Sequence, residues 1–191
     1  MKKAWLFLAI VLAAGGAWAQ LSWVGDSYLY SEELDTWYRA SGPANGGWGN
    51  LSETVFDAMD FGIVSSLTLG AQAQTYDRAE GTTVTMYYEV FQGAVSQNSG
   101  FLALPWNRQE GSNDLWENMV GVDVAAGLAP GTEYTVAVWF NAVRDATEVW
   151  DSNGNANYVA DFQTAAVPEP ATLGLLGLGA LALGFRRKAR K

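Results

Sequence analysis

Along the middle of the chain, apolar and polar residues alternate with a period of two. No run of twelve or more residues shows the three-to-four spacing of an amphipathic helix. In "TTVTMYYEVFQ" (82–92), Val84, Met86, Tyr88 and Val90 fall on one side and Thr83, Thr85, Tyr87 and Glu89 on the other. Stretches at 65–76, 116–125, 132–143 and 157–164 have the same character, and "GFLALPW" (100–106) is a shorter one that ends at proline. Clusters of Gly, Asn, Asp and Ser separate them. Successive side chains on a strand point to opposite faces, so this pattern requires strands with one face buried. Many short strands at such spacing predict an all-β fold, an antiparallel β-sandwich. The chain contains no cysteine, so the sandwich is expected to hold together by core burial alone.

One segment fixes the architecture further. "GLAPGTEYTVAVWF" (127–140) places a turn at Pro130-Gly131 before a strand with Tyr134, Val136 and Val138 on one face. It resembles the corner of fibronectin type III-like sandwiches, in which a tyrosine hydroxyl bonds back to upstream backbone. The resemblance implies a structural role for Tyr134, with Leu128 tucked beneath it. It speaks to fold and leaves function open.

Both ends read as address segments rather than as parts of the fold. "MKKAWLFLAIVLAAGGAWAQ" has two lysines, an apolar stretch from Ala4 to Ala14, and small residues at Ala17 and Ala19, the pattern of a signal peptide (1–19) cut after Ala19. Signal peptidase is therefore an expected partner, the alternative being an uncleaved anchor. The expected single domain spans 20–165. It carries four arginines against nineteen acidic residues, a net charge of −15. Such a surface repels phosphates, so nucleic acid is not an expected partner. The C-terminal segment, 166–191, contains fifteen uncharged residues at 171–185 followed by Arg186, Arg187, Lys188, Arg190 and Lys191. As a helix the uncharged run reaches about 22 Å, short of a hydrocarbon core of about 30 Å. The basic cluster stops transfer and orients the tail to the cytoplasm, with the body outside.

The order of Val167-Pro168-Glu169-Pro170, apolar span and terminal basic cluster resembles the PEP-CTERM sorting signal of exopolysaccharide-producing Gram-negative bacteria. The resemblance implies that an exosortase recognises Pro168-Glu169-Pro170 and cleaves near it. The protein would then be held in the inner membrane only transiently before reaching the cell surface or the medium. A plain C-terminal membrane anchor is the alternative.

Candidate chemistry is sparse. Without His or Cys there is no Ser-His-Asp triad, no Cys-His nucleophile and no typical zinc or copper site. "VWDSNGNANYVADF" (149–162) is similar to a signature of starch-binding carbohydrate modules through Trp150, Asp151, Asn153, Gly154, Asn157 and Tyr158, with Ser152 and Ala156 departing from it. An indole stacks on the apolar face of a sugar while amides and carboxylates bond its hydroxyls. The same residue types also make ordinary turns. Calcium is the one cofactor considered, through Asp151, Asn153 and Asn155, although Ala156 stands where an EF-hand needs glycine. Seven tryptophans fall in the body; Trp48 and Trp106, in loop-like sequence, join Trp150 as candidate glycan contacts, whereas Trp139 is expected on a sheet face or buried. Asp57 and Asp60 flank apolar residues, but nothing singles out a carboxylate pair for glycoside hydrolysis. The expectation is a non-enzymatic structural, adhesive or glycan-binding component of the extracellular polysaccharide matrix. A polysaccharide-active enzyme and a calcium-stabilised scaffold are the alternatives.

Overall fold

The computed structural model describes residues 24–40, 54–76 and 81–167. The strands are β1 (Val24–Ser31), β2 (Thr36–Arg39), β3 (Met59–Val64), β4 (Thr68–Tyr76), β5 (Thr83–Gln92), β6 (Val95–Leu104), β7 (Trp106–Glu110), β8 (Asn113–Asp123), β9 (Glu133–Arg144), β10 (Thr147–Asp151) and β11 (Tyr158–Thr164). The only helical turn among the described residues is a short 3-10 turn at Asn153–Asn155. The first sheet has the order β2-β1-β4-β8-β7 and the second β3-β11-β9-β5-β6. β9 is long enough to pair with two strands along one edge. Its C-terminal half takes β10 (Asp151 opposite Phe140) and its N-terminal half takes β11 (Tyr158 opposite Val138).

The alternation read from the sequence decides which side chains enter the core. Val84, Met86, Tyr88 and Val90 of β5 are buried, as are Tyr134, Val136, Val138, Phe140 and Ala142 of β9. Leu29, Leu69, Ala71, Ala73 and Trp116 face them from the first sheet in one continuous cluster. The sequence expectation of purely antiparallel sheets needs one correction, because β3 runs parallel to β11. A parallel neighbour needs a long crossover. Here the chain travels through seven strands between β3 and β11, and local pattern carries no trace of the pairing.

Pro105 also differs from expectation. It ends β6 in the second sheet, but the chain continues directly as β7 in the first, so Pro105 marks a crossing between sheets rather than a terminus. Proline suits this junction because it has no N–H to give to either ladder; its carbonyl accepts from the Glu117 N–H at 3.0 Å.

The corner at Tyr134 has the expected geometry. Its hydroxyl accepts from the Ala129 N–H at 3.0 Å and lies 3.3 Å from the Ala129 carbonyl, to which it donates. Its ring stacks on Phe162 at 5.7 Å, and Leu128 packs against the core beside it. Removing the hydroxyl strands the Ala129 N–H in a partly buried corner, while the Ala129 carbonyl keeps its bond from Thr164 Oγ1 at 2.6 Å. Tyr134→Phe is therefore expected to lower unfolding free energy by about 1–3 kcal/mol in urea titrations. A variant as stable as the parent would show that the corner bond contributes nothing.

Candidate functional site

The outward face of the second sheet carries an aromatic row. On β5 and β9 the even-numbered side chains fill the core, so Tyr87 and Trp139 point outward, directly opposite each other. Phe101 on β6 is opposite Tyr87, and Trp150 on β10 is opposite Asn141, two residues along β9 from Trp139. Tyr87 is the hub. Its ring lies 5.9 Å from Trp139 at 10°, 6.0 Å from Trp150 at 38°, and 6.3 Å from Phe101 at 49°. The row crosses β6, β5, β9 and β10, about 14 Å at the usual strand spacing. Its two ends are the most open, with Phe101 68% and Trp150 50% exposed.

Cross-strand aromatic pairs stabilise a sheet by about 0.2–1 kcal/mol each. That accounts for the half-buried central rings. It does not account for two large rings left mostly in water at the ends, which is the arrangement of a contact surface.

The sequence candidates separate on this framework. Trp150 joins the row, and Trp139 lies on the sheet face as expected. Trp106 belongs to β7 at the edge of the other sheet, not to a loop; it is 44% exposed and its Nε1 donates to Asp114 Oδ1 at 2.8 Å. Trp48 lies outside the described residues.

The polar members of the 149–162 motif turn toward the protein. Asp151 Oδ2 accepts from Ser27 Oγ of β1 at 2.6 Å, and its Oδ1 accepts from the Tyr158 hydroxyl. Asn153 Nδ2 donates to Asp57 Oδ2 at 3.0 Å and to the Asn157 carbonyl at 3.2 Å. Asp57 Oδ1 accepts from the Val159 N–H at 3.0 Å. The loop places Asn153 (φ 49), Gly154 (φ 65), Asn155 (φ 75) and Asn157 (φ 59) in the left-handed region. Asparagine and glycine are the residues that enter it most readily, so the backbone path accounts for much of this loop's composition. Asp151 and Asn153, offered above as calcium ligands, are aimed at different protein partners. Among the described residues no three acidic side chains converge as a metal cage.

Sequence reasoning missed Tyr87 and Phe101 as site residues. The alternation in 82–92 put Tyr87 on the outward side, but only the β5–β6–β9 register brings it to Trp139 and Phe101.

Farther along the same face is an open cleft of about 880 Å³. It is lined by Asp60 of β3, Asp161 and Gln163 of β11, and Glu133 and Thr135 of β9. Asp60 and Asp161 are register partners in the parallel pair. Thr135 Oγ1 donates to Asp161 Oδ1 at 2.6 Å, and the Gly62 N–H donates to Asp60 Oδ1 at 2.7 Å. Of the two aspartates noted in the sequence, Asp57 is thus tied into the loop while Asp60 opens onto this cleft.

Past β11 the described chain ends at Val167, which is 69% exposed. Residues 166–188 match the PEP-CTERM protein-sorting motif. The PEP-CTERM motif marks an exported protein that is processed by an exosortase, anchored transiently in the membrane, and delivered to the cell surface or the extracellular space. No curated protein matches the chain. Pro168, Glu169 and Pro170, the expected helix at 171–185 and the basic cluster from Arg186 to Lys191 lie outside the described residues, as do Ala17 and Ala19. Among the described residues no helix is long and apolar enough to cross a membrane.

Proposed function

We propose that the exported domain binds polysaccharide on the outward face of its second sheet and serves as a structural or adhesive component of the extracellular matrix, without cleaving the polymer. The observation that carries this reading is the row Phe101–Tyr87–Trp139–Trp150, centred on Tyr87 and open at both ends. A flat row of rings offers stacking surfaces to the C–H faces of consecutive sugars. Thr85, in the row of residues beside it, adds a hydroxyl that can hydrogen-bond. Delivery to the cell surface or the extracellular space, which the sorting motif marks, supports the reading.

Titration of the exported, processed protein with soluble glucans and with the polysaccharide of its own host tests the reading. Quenching of tryptophan fluorescence is expected, with no new reducing ends. Trp150→Ala and Phe101→Ala should each weaken binding tenfold or more, equivalent to about 1.4 kcal/mol. Both side chains are largely exposed, so melting temperatures should stay near that of the parent. A rise in reducing ends would replace this reading with that of a polysaccharide-active enzyme, for which Asp60 and Asp161 are the adjacent carboxylates. Full affinity in both variants would remove the aromatic row from the site.

A further inference from the structure

We infer that the preferred ligand is a polysaccharide carrying protonated amino groups, such as a partly de-N-acetylated hexosamine polymer; this rests on the glycan-binding reading above. The face that holds the aromatic row is anionic. Its outward positions include Glu89 of β5, Glu133 of β9, Glu148 of β10, Asp161 of β11 and Asp60 of β3. Among the described residues no lysine or arginine projects from this face. Arg39 and Arg108 belong to β2 and β7 of the other sheet. Arg144, at the end of β9, is buried and lies 3.8 Å from Asp145.

The carboxylates are placed to act on whatever stacks on the rings. Glu89 is two residues from Tyr87 and Glu148 two residues from Trp150, each on the same side of its strand. That separation is about 7 Å, inside the screening length of about 8–10 Å at physiological salt. The cleft begins around Thr135, four residues or about 13 Å along β9 from Trp139. A short oligosaccharide lying along β9 would meet the rings first and the pair Asp60 and Asp161 next. An ammonium group is also drawn to the faces of Trp and Tyr within about 6 Å. A uronic acid polymer has the wrong sign for every one of these groups, and a neutral glycan would use only the rings.

Binding of the exported, processed protein is compared across oligomers of N-acetylglucosamine, the same oligomers after de-N-acetylation, and uronic acid oligomers of equal length. The de-N-acetylated oligomers should bind at least tenfold more tightly than the acetylated ones at about 10 mM salt, with the advantage lost at about 1 M. The uronic oligomers should bind weakest. The double variant Asp161→Asn, Glu133→Gln should bring the amine advantage to within about twofold, leaving binding of the acetylated oligomers unchanged. Glu89→Gln with Glu148→Gln, on other strands, is expected to act in the same direction and covers the case in which the first variant misfolds. Equal affinity for acetylated and free-amine oligomers would overturn the inference and leave the glycan reading intact. Displacement by polylysine as effective as by the oligosaccharide would also overturn it, by reducing the face to a bare anionic surface. Failure of every glycan to bind would remove the underlying reading itself.

Discussion

A chain in which Pro168, Glu169 and Pro170 are all replaced by alanine should be exported and then remain in the inner membrane with its basic terminus intact. The parent should leave the membrane without that terminus. The substitution does not touch the N-terminal segment, where the sequence places the expected export signal, so the body is expected to cross. What is lost is the recognition element that the PEP-CTERM motif supplies between body and span. The uncharged run at 171–185 and the five cations after it then act only as an anchor. Among the described residues the last backbone tie is the Ala165 N–H to the Val64 carbonyl at 2.7 Å, and Val167 is exposed. β11 ends at Thr164, so cleavage beyond Val167 leaves its ladder in place. Fractionation with intact-mass measurement of both proteins reads the outcome as nearly all or none. Release of the variant at the parental rate, or an Arg186–Lys191 terminus on the parent's released form, would mean that the motif does not direct processing.

The strands legible in the sequence were those with one apolar and one polar face, β5 and β9 above all. Tyr134 was legible because its role depends on a local sequence interval. β1 blurs the pattern, since Ser27 and Ser31 are buried; β4 was legible within 65–76 although Gln72, Gln74 and Thr75 are buried beside its apolar residues. Buried polar residues on a strand of the first sheet weaken the contrast on which alternation depends. β2 has four residues and β10 five, too few to establish a period. The aromatic row was half legible. Trp150 drew attention through its own loop, but Tyr87 and Phe101 gain meaning only from pairing across strands. The polar part of that loop reads two ways, because left-handed backbone and sugar binding favour the same residues, and its hydrogen-bond partners favour the structural reading.

Asp151 is where the two meanings can be separated by experiment. Asp151→Ala should lower the stability of the domain by about 3–5 kcal/mol while leaving the outward rings in place. The carboxylate joins the layers: Ser27 Oγ reaches it from β1 of the first sheet, and the Tyr158 hydroxyl reaches it from β11 of the second. Ser27 is 3% and Tyr158 4% exposed. Hydrogen bonds to a charged acceptor contribute about 1.5–3 kcal/mol each, and alanine removes two together from groups that water scarcely reaches. For a domain of this size each kcal/mol moves the melting temperature by about 2–4 °C, so a fall of about 10 °C is expected. Asp151→Asn keeps an acceptor oxygen and should fall between the two. The neighbouring Trp150→Ala should show the converse, losing glycan affinity with little change in melting. If Asp151 were a ligand rather than a tie between the sheets, its alanine variant would melt with the parent and lose affinity instead. That single exchange of phenotypes between adjacent residues would show that β10 presents one face to the polymer and the other to the core.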